Sequence, residues 1–139
     1  MVRRIVPDIV AGQDVLAFPP TASVREAVKQ MAVRKVNSVL VVEEQRLAGI
    51  FTGTDLIRKV VAASRDPDKT SLGEVMTPDP QTIEPRQTAI EALRLMHDGR
   101  FRHLPVVESG RLIGVVSRRD FLGHEEDTVE RQEKLWEEM

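Results

Sequence analysis

The chain has 139 residues, with 20 Lys and Arg against 22 Asp and Glu, a formal charge of −2, 41% hydrophobic residues and no cysteine. That length suits one compact unit or two small ones and excludes a multidomain enzyme. The missing cysteine excludes disulfides, a thiolate metal cage and a cysteine nucleophile, and the apolar share is enough for a core.

The amino terminus, Met1-Val2-Arg3-Arg4-Ile5-Val6-Pro7, is cut by Pro7 and Asp8 before any apolar stretch develops. No run approaches the roughly 18 apolar residues of a membrane span. A cytoplasmic protein with no membrane partner is expected. Val15-Leu16-Ala17-Phe18 predicts a short strand. Ser23-Val-Arg-Glu26 is an S/T-x-x-E capping box that opens a helix, and Val24, Ala27, Val28 and Met31 give it an apolar stripe at helical spacing. Val39-Leu40-Val41-Val42 is a buried strand, Glu44-Gln45 a turn and Leu47 to Phe51 the returning strand of a hairpin. A second helix is predicted from Asp55, and Ser64 to Ser71, with Pro67 and four charged residues, reads as a connecting loop.

The same elements then recur. Met31 and Met96, Gly49 and Gly114, and Asp55 and Asp120 are each 65 positions apart, and ten identities fall in one ungapped register. Repeats of this kind define an architecture before any single element does. Thr82-Ile83 matches the first strand, Thr88-Ala-Ile-Glu91 the capping box, and Ala89, Ala92, Leu93 and Met96 the stripe, with Gly99 predicted as the residue that stops the helix. Leu104-Pro105-Val106-Val107, Ser109-Gly110 and Leu112 to Val116 repeat the hairpin, and a helix is predicted from Asp120. The fold class is therefore α/β, two β-α-β-β-α repeats. The expected organisation is a first repeat with its amino-terminal arm at 1–63, a linker at 64–76, a second repeat at 77–123 and an acidic helical tail at 124–139. That tail holds seven acidic and two basic residues, with Val129, Leu135, Trp136 and Met139 on a partial apolar face expected to pack on the parent domain or a second subunit.

In both copies a strand ends in Gly-h-h-[Thr/Ser]-x-x-Asp: Gly49 to Thr52 and Asp55, and Gly114 to Ser117 and Asp120. A helix start offers free N–H groups and the positive end of a dipole. A hydroxyl three residues before an acid at that place suits a phosphate beside a diol, the Asp accepting from ribose hydroxyls. The other reading is that Thr52, Ser117, Asp55 and Asp120 only cap helices.

The tandem copies, their element order, the Leu104-Pro105-Val106-Val107 strand and the paired motif endings resemble a CBS-domain pair, the Bateman module, over roughly residues 8–123. The resemblance implies two repeats packed with pseudo-twofold symmetry, clefts that bind AMP, ADP, ATP, NAD or S-adenosylmethionine, and a homodimer. Carried over residue by residue, it makes Thr52 and Ser117 phosphate-side hydroxyls and Asp55 and Asp120 the ribose acids. Thr82 and Ile83, and Ala17 and Phe18, would line the adenine pocket. Arg102 and His103, just before Leu104 and Pro105, would reach phosphate. The first repeat departs here, with Asn37 and Ser38 in those places and Leu40 instead of the usual Pro. Arg118 and Arg119 would strengthen the second motif.

His97, His103 and His124 have no metal-ligand spacing, His97 is expected to be exposed, and no catalytic motif is present. The expected function is a non-catalytic regulatory module that requires no cofactor, binds an adenosine nucleotide and signals to an effector protein. The competing reading is a structural dimerisation module with vestigial clefts. Nucleic-acid binding is disfavoured, because a net-acidic chain with few aromatics offers neither a basic stripe nor a stacking platform.

Overall fold

The computed structural model describes residues 2–138; Met139, counted above in the apolar face of the tail, lies outside them. The chain divides into two units, treated one at a time. Asp14–Pro80 with Ser109–Leu112 form the first-repeat unit, and Met1–Gln13, Gln81–Glu108 and Ile113–Met139 form the second-repeat unit.

In the first-repeat unit β1 (Ala17–Phe18) leads to α1 (Val24–Arg34), β2 (Ser38–Glu43) and β3 (Arg46–Thr52). The Ser23 hydroxyl accepts the Glu26 N–H at 3.1 Å, as the capping pattern predicts, and α1 buries Val24, Ala27 and Met31. β2 and β3 form the predicted hairpin, and Glu44 and Gln45 turn it with positive φ at both positions (50° and 67°), the conformation that matches strand twist. A short helix, α2 (Gly53–Asp55), continues into wide helical turns over Leu56–Val61. β1 runs parallel to β2.

The segment expected to be a linker is structural. It forms α3 (Leu72–Val75) and β4 (Thr77–Pro78), with β4 antiparallel to β3 at Gly49 and Ile50. Leu72 and Val75 enter the core with Val24, Ala27 and Phe51, and Val24 N–H donates to the Thr70 carbonyl at 2.9 Å. Pro67 and its charged neighbours hide two apolar residues that close this core, so Thr77 and Pro78 join the first repeat rather than the second.

The second-repeat unit contains α4 (Ala89–Gly99), β5 (His103–Glu108), β6 (Arg111–Ser117) from Ile113 onward and α5 (Gly123–Glu138), with β5 beside β6. The Thr88–Glu91 box forms in both directions. Three expectations change here. The left-handed residue after α4 is Arg100 (φ 57°), not Gly99; at Gly99 the Phe101 ring packs where a Cβ would stand. The helix expected from Asp120 is only a three-residue turn, after which Phe121 is extended and buried, and α5 restarts at Gly123 to run through the tail. Trp136 and Leu135 do not pack on their own unit, being 76% and 62% exposed.

The amino-terminal arm, expected with the first repeat, belongs to the second-repeat unit. Ala89 N–H donates to the Arg3 carbonyl, Ile5 N–H to that of Gln87 and Val6 N–H to that of Pro85, all at 2.9 to 3.0 Å. Ile5 and Val10 enter the core with Leu93, Leu104 and Val116. The arm does for the second repeat what residues 70–78 do for the first. Residues 70–71 lie along Ser23-Val24 as residues 3–4 lie along Thr88-Ala89. Gly49 makes room for Met76 and Thr77, as Gly114 does for Val10 and Gln13.

Arg3 grips Glu125 through both carboxylate oxygens, at 2.7 and 3.1 Å, where the Glu125 side chain is only 4% exposed. Burial pushes the Glu125 carboxyl up, but the bonds from Arg3 and the Leu122 N–H outweigh it and hold the group below its ordinary 4.5. A depressed carboxyl stabilises the fold above its unfolded value and loses that contribution on acidification. Glu125→Gln is expected to cost about 2 kcal/mol at pH 7. In urea titrations against pH, the gap between wild type and variant should close as the pH falls below 4.5.

Candidate functional site

Both motif corners form, and they differ. In the first, Asp55 is buried and its carboxylate is fully engaged: Oδ2 accepts the Thr52 N–H at 3.0 Å, Oδ1 accepts the Thr77 hydroxyl at 3.2 Å, and the Lys59 ammonium lies 3.0 Å from Oδ1. The Thr52 hydroxyl accepts the Asp55 N–H at 3.3 Å. Here the capping reading holds, and an internal lysine supplies the cation. Ala17 is exposed on β1, Phe18 packs partly against the first core, Asn37 is exposed, and Ser38 and Leu40 are buried.

In the second corner the Ser117 N–H donates to Asp120 Oδ2 at 2.7 Å, but Asp120 is exposed and its Oδ1 has no hydrogen-bond partner among the described residues. The backbone frame is shared: Arg118 N–H donates to the Arg102 carbonyl at 2.9 Å, as Gly53 N–H does to Asn37 at 3.1 Å. Arg118 is tied to Glu126 at 3.3 Å. Arg102 and Arg119 are exposed and have no ion-pair partner among the described residues. His103, half-buried at the start of β5, is held below its ordinary 6.5 by burial first and then by the positive charges of Arg102 and Arg119, against the opposing pull of Asp120. Two guanidinium groups and one carboxylate thus act on His103 at this corner.

Other predicted residues serve as scaffold. Ile83 is 1% exposed in the core, and its backbone pairs with β5 through the Pro105 carbonyl (2.9 Å) and the Val107 N–H (3.0 Å). Leu104 and Pro105 are also buried. Successive strand side chains point to opposite faces, so β5 is covered on both faces here and anchors the segment that carries Arg102 and His103, while Thr82 stays exposed. His97, expected to be exposed, is half-buried and lies 2.7 Å from Glu133 on α5. Residues the sequence reading missed are Lys59 and Thr77 at the first corner and Arg3 and Gln13 at the second. The Gly49–Gly114 match carried a signal for Gln13, since residues 76–78 and 11–13 stand in the same 65-residue register; nothing in the register points to Arg3.

A family model described as "CBS domain" matches residues 6–62 and 72–127. The chain belongs to the CBS-domain family. Tandem CBS domains are in general regulatory, nucleotide-binding modules. Among relatives, the mitochondrial CBS domain-containing protein CBSX3 of Arabidopsis thaliana is 38% identical over 103 residues, 70% of this chain and 50% of that protein. The chain spans only about a fifth of other Arabidopsis CBS-domain proteins that it matches (19% and 22%). A solved CBS-domain protein of Burkholderia ambifaria MC40-6 is 38% identical with a TM-score of 0.75, over 78% of this chain and 80% of that one. The CBS domain protein PAE2072 of Pyrobaculum aerophilum, complexed with AMP, aligns over 93% of this chain and 98% of its own at a TM-score of 0.79 and 23% identity, a likeness of fold. No helix among the described residues is long and apolar enough to cross a membrane.

The two CBS corners are expected to respond differently to the same substitution. Asp55→Ala removes a buried carboxylate that accepts from the Thr52 N–H and the Thr77 hydroxyl and faces the half-exposed Lys59 ammonium, and should cost about 2 kcal/mol. Asp120→Ala removes a cap and should cost about 1 kcal/mol. Urea unfolding of the two variants measures the difference.

Proposed function

We propose that the second CBS corner is a regulatory binding site for an adenosine nucleotide, with Asp120 accepting from the ribose hydroxyls and Ser117, Arg102, His103 and Arg119 holding phosphate, beside Thr82. The observation that carries this reading is the contrast between the corners. Asp55 is satisfied by Lys59 and Thr77, whereas Asp120 keeps an open carboxylate oxygen next to two guanidinium groups that have no ion-pair partner among the described residues. Charge-assisted bonds from arginine suit phosphate. The corner therefore favours AMP, ADP, ATP or NAD over S-adenosylmethionine, whose sulfonium is positive. Thr52, Asp55, Ala17 and Phe18 then belong to a corner kept for structure, so the vestigial alternative applies to the first repeat alone.

Occupancy of the site regulates by shifting the protein between arrangements of different ligand affinity, read by an effector protein. No catalytic step is part of this reading. We take the module to act as a homodimer, supported by the exposed apolar residues Ile57 and Val61 on one helical face; the CBS-CP12 protein of bloom-forming cyanobacteria, 29% identical with a TM-score of 0.77, is hexameric. Residence in the cytoplasm is part of the same proposal.

A thermal-shift series with AMP, ADP, ATP, NAD and S-adenosylmethionine tests it. A ligand present at 100 times its Kd should stabilise the fold by about 2.7 kcal/mol, or several degrees, and Asp120→Ala and Arg119→Ala should each remove the shift. If folded, ligand-free protein shows no shift with any of the five, the reading fails.

The histidine gives a second test. A phosphate beside His103 favours its imidazolium, so binding takes up a proton. Because the free protein holds His103 below 6.5, nucleotide affinity should strengthen as the pH falls toward that value. Calorimetric titrations in buffers of different ionisation enthalpy should record the uptake, and His103→Gln should abolish it.

A further inference from the structure

The amino-terminal arm bonds the Asp120 turn, the strand that leads to Ser117 and the segment that follows Ile83. Arg3 Nη2 donates to the Asp120 carbonyl at 3.1 Å and to Glu125 Oε1 at 2.7 Å, while Arg3 Nε donates to Glu125 Oε2 at 3.1 Å. Glu125 Oε1 in turn accepts the Leu122 N–H at 2.8 Å. One guanidinium thus fixes the backbone on both sides of Phe121, immediately after the site residues. Farther along the arm, the Gln13 side chain both donates to the Val115 carbonyl (3.1 Å) and accepts the Val115 N–H (2.7 Å), two residues before Ser117. Between them, Ile5 and Val6 bond Gln87 and Pro85, which follow Thr82 and Ile83.

The turn that bears Asp120 needs such support. It is a three-residue helical turn followed by an extended residue, and a turn that short supplies little rigidity of its own. The first corner has a different arrangement: Asp55 is held directly by Lys59 and Thr77 and the helical turns continue past it. At the second corner the carboxylate is open and the clamp acts on its carbonyl instead, leaving Oδ1 available.

We propose that Arg3 is a positioning residue for the nucleotide site, and that the arm from Arg3 to Gln13 is a strap whose docking sets the affinity of that site. The proposal rests on the functional reading above. Arg3 contacts no ligand in it; the arginine orients the Asp120 turn. Coupling is reciprocal: if undocking the strap weakens binding by some factor, bound nucleotide must stabilise the docked strap by the same factor. The arm ends where the chain passes into the first-repeat unit, at Gln13 and Asp14.

The test titrates the full chain with AMP and with ATP by calorimetry. Arg3→Met should weaken the tighter-binding of the two at least tenfold. Arg3→Lys keeps a charge opposite Glu125 but loses the fork that reaches both carboxylate oxygens and the Asp120 carbonyl, so its affinity should fall between the two. Val129→Ala, which thins the same core without touching the corner, controls for stability: it should lower the melting temperature while leaving affinity within twofold. In wild type, saturating nucleotide should slow amide exchange at Ile5, Val6 and Val115 by about the factor lost in Arg3→Met. Wild-type binding that is unchanged in Arg3→Met, or that falls equally in Val129→Ala, overturns the strap and leaves the site standing. If wild type binds neither nucleotide, the functional reading fails and the strap falls with it.

Discussion

Two glycines and the segments they admit govern how this chain closes its cores. A Cβ at Gly49 would lie 2.8 Å from the Thr77 carbonyl, and one at Gly114 2.6 Å from Val10. At Gly49 the strand meets the backbone of the flanking segment and at Gly114 the side chains of Val10 and Gln13, and each segment brings apolar side chains: Leu72 and Val75 in one unit, Ile5 and Val10 in the other. Without them each repeat would leave part of its core open to water, at a cost of about 25 cal/mol per Å² of apolar surface. The segment that precedes one repeat completes the other. Neither repeat is therefore a self-contained stretch of sequence.

Duplication preserved the frame of the corner and let its chemistry diverge. The bond from Gly53 to Asn37 and its counterpart from Arg118 to Arg102 keep strand and turn in the same relation. On that frame one carboxylate is neutralised by an internal ammonium, and the other remains open among arginines. A buried carboxylate paired with a lysine is costly to disturb, which makes it a good structural peg and a poor ligand acceptor. An exposed carboxylate beside unpaired guanidinium groups has the opposite properties. The difference between the corners is one of occupancy by the protein's own side chains.

Element type and order were legible because they depend on local patterns. Capping boxes at Ser23 and Thr88, the apolar stripes behind them, and the two-residue turns at Glu44-Gln45 and Ser109-Gly110 all express themselves within a few residues. The site was half legible for the same reason: Asp55 and Asp120 stand where the repeat put them. Misassignments arose where burial depends on distant sequence. Ile83, expected to line the adenine pocket, has its side chain in the core because its backbone pairs with β5. Gly99 read as a turn former, but the ring of Phe101 packs where its Cβ would stand.

The sequence by itself determined the duplication, the α/β repeat order and the two motif corners, since periodicity and the 65-residue register are properties of one dimension. Only the tertiary structure decided which segment closes which core, that Lys59 and Thr77 fill the first corner, and that Arg3 reaches the second across 117 positions. Those are pairings between residues whose separation along the chain carries no period. Which partner a charge or a cavity finds is fixed by shape and by the free energy of leaving water, and both exist only once the chain has folded.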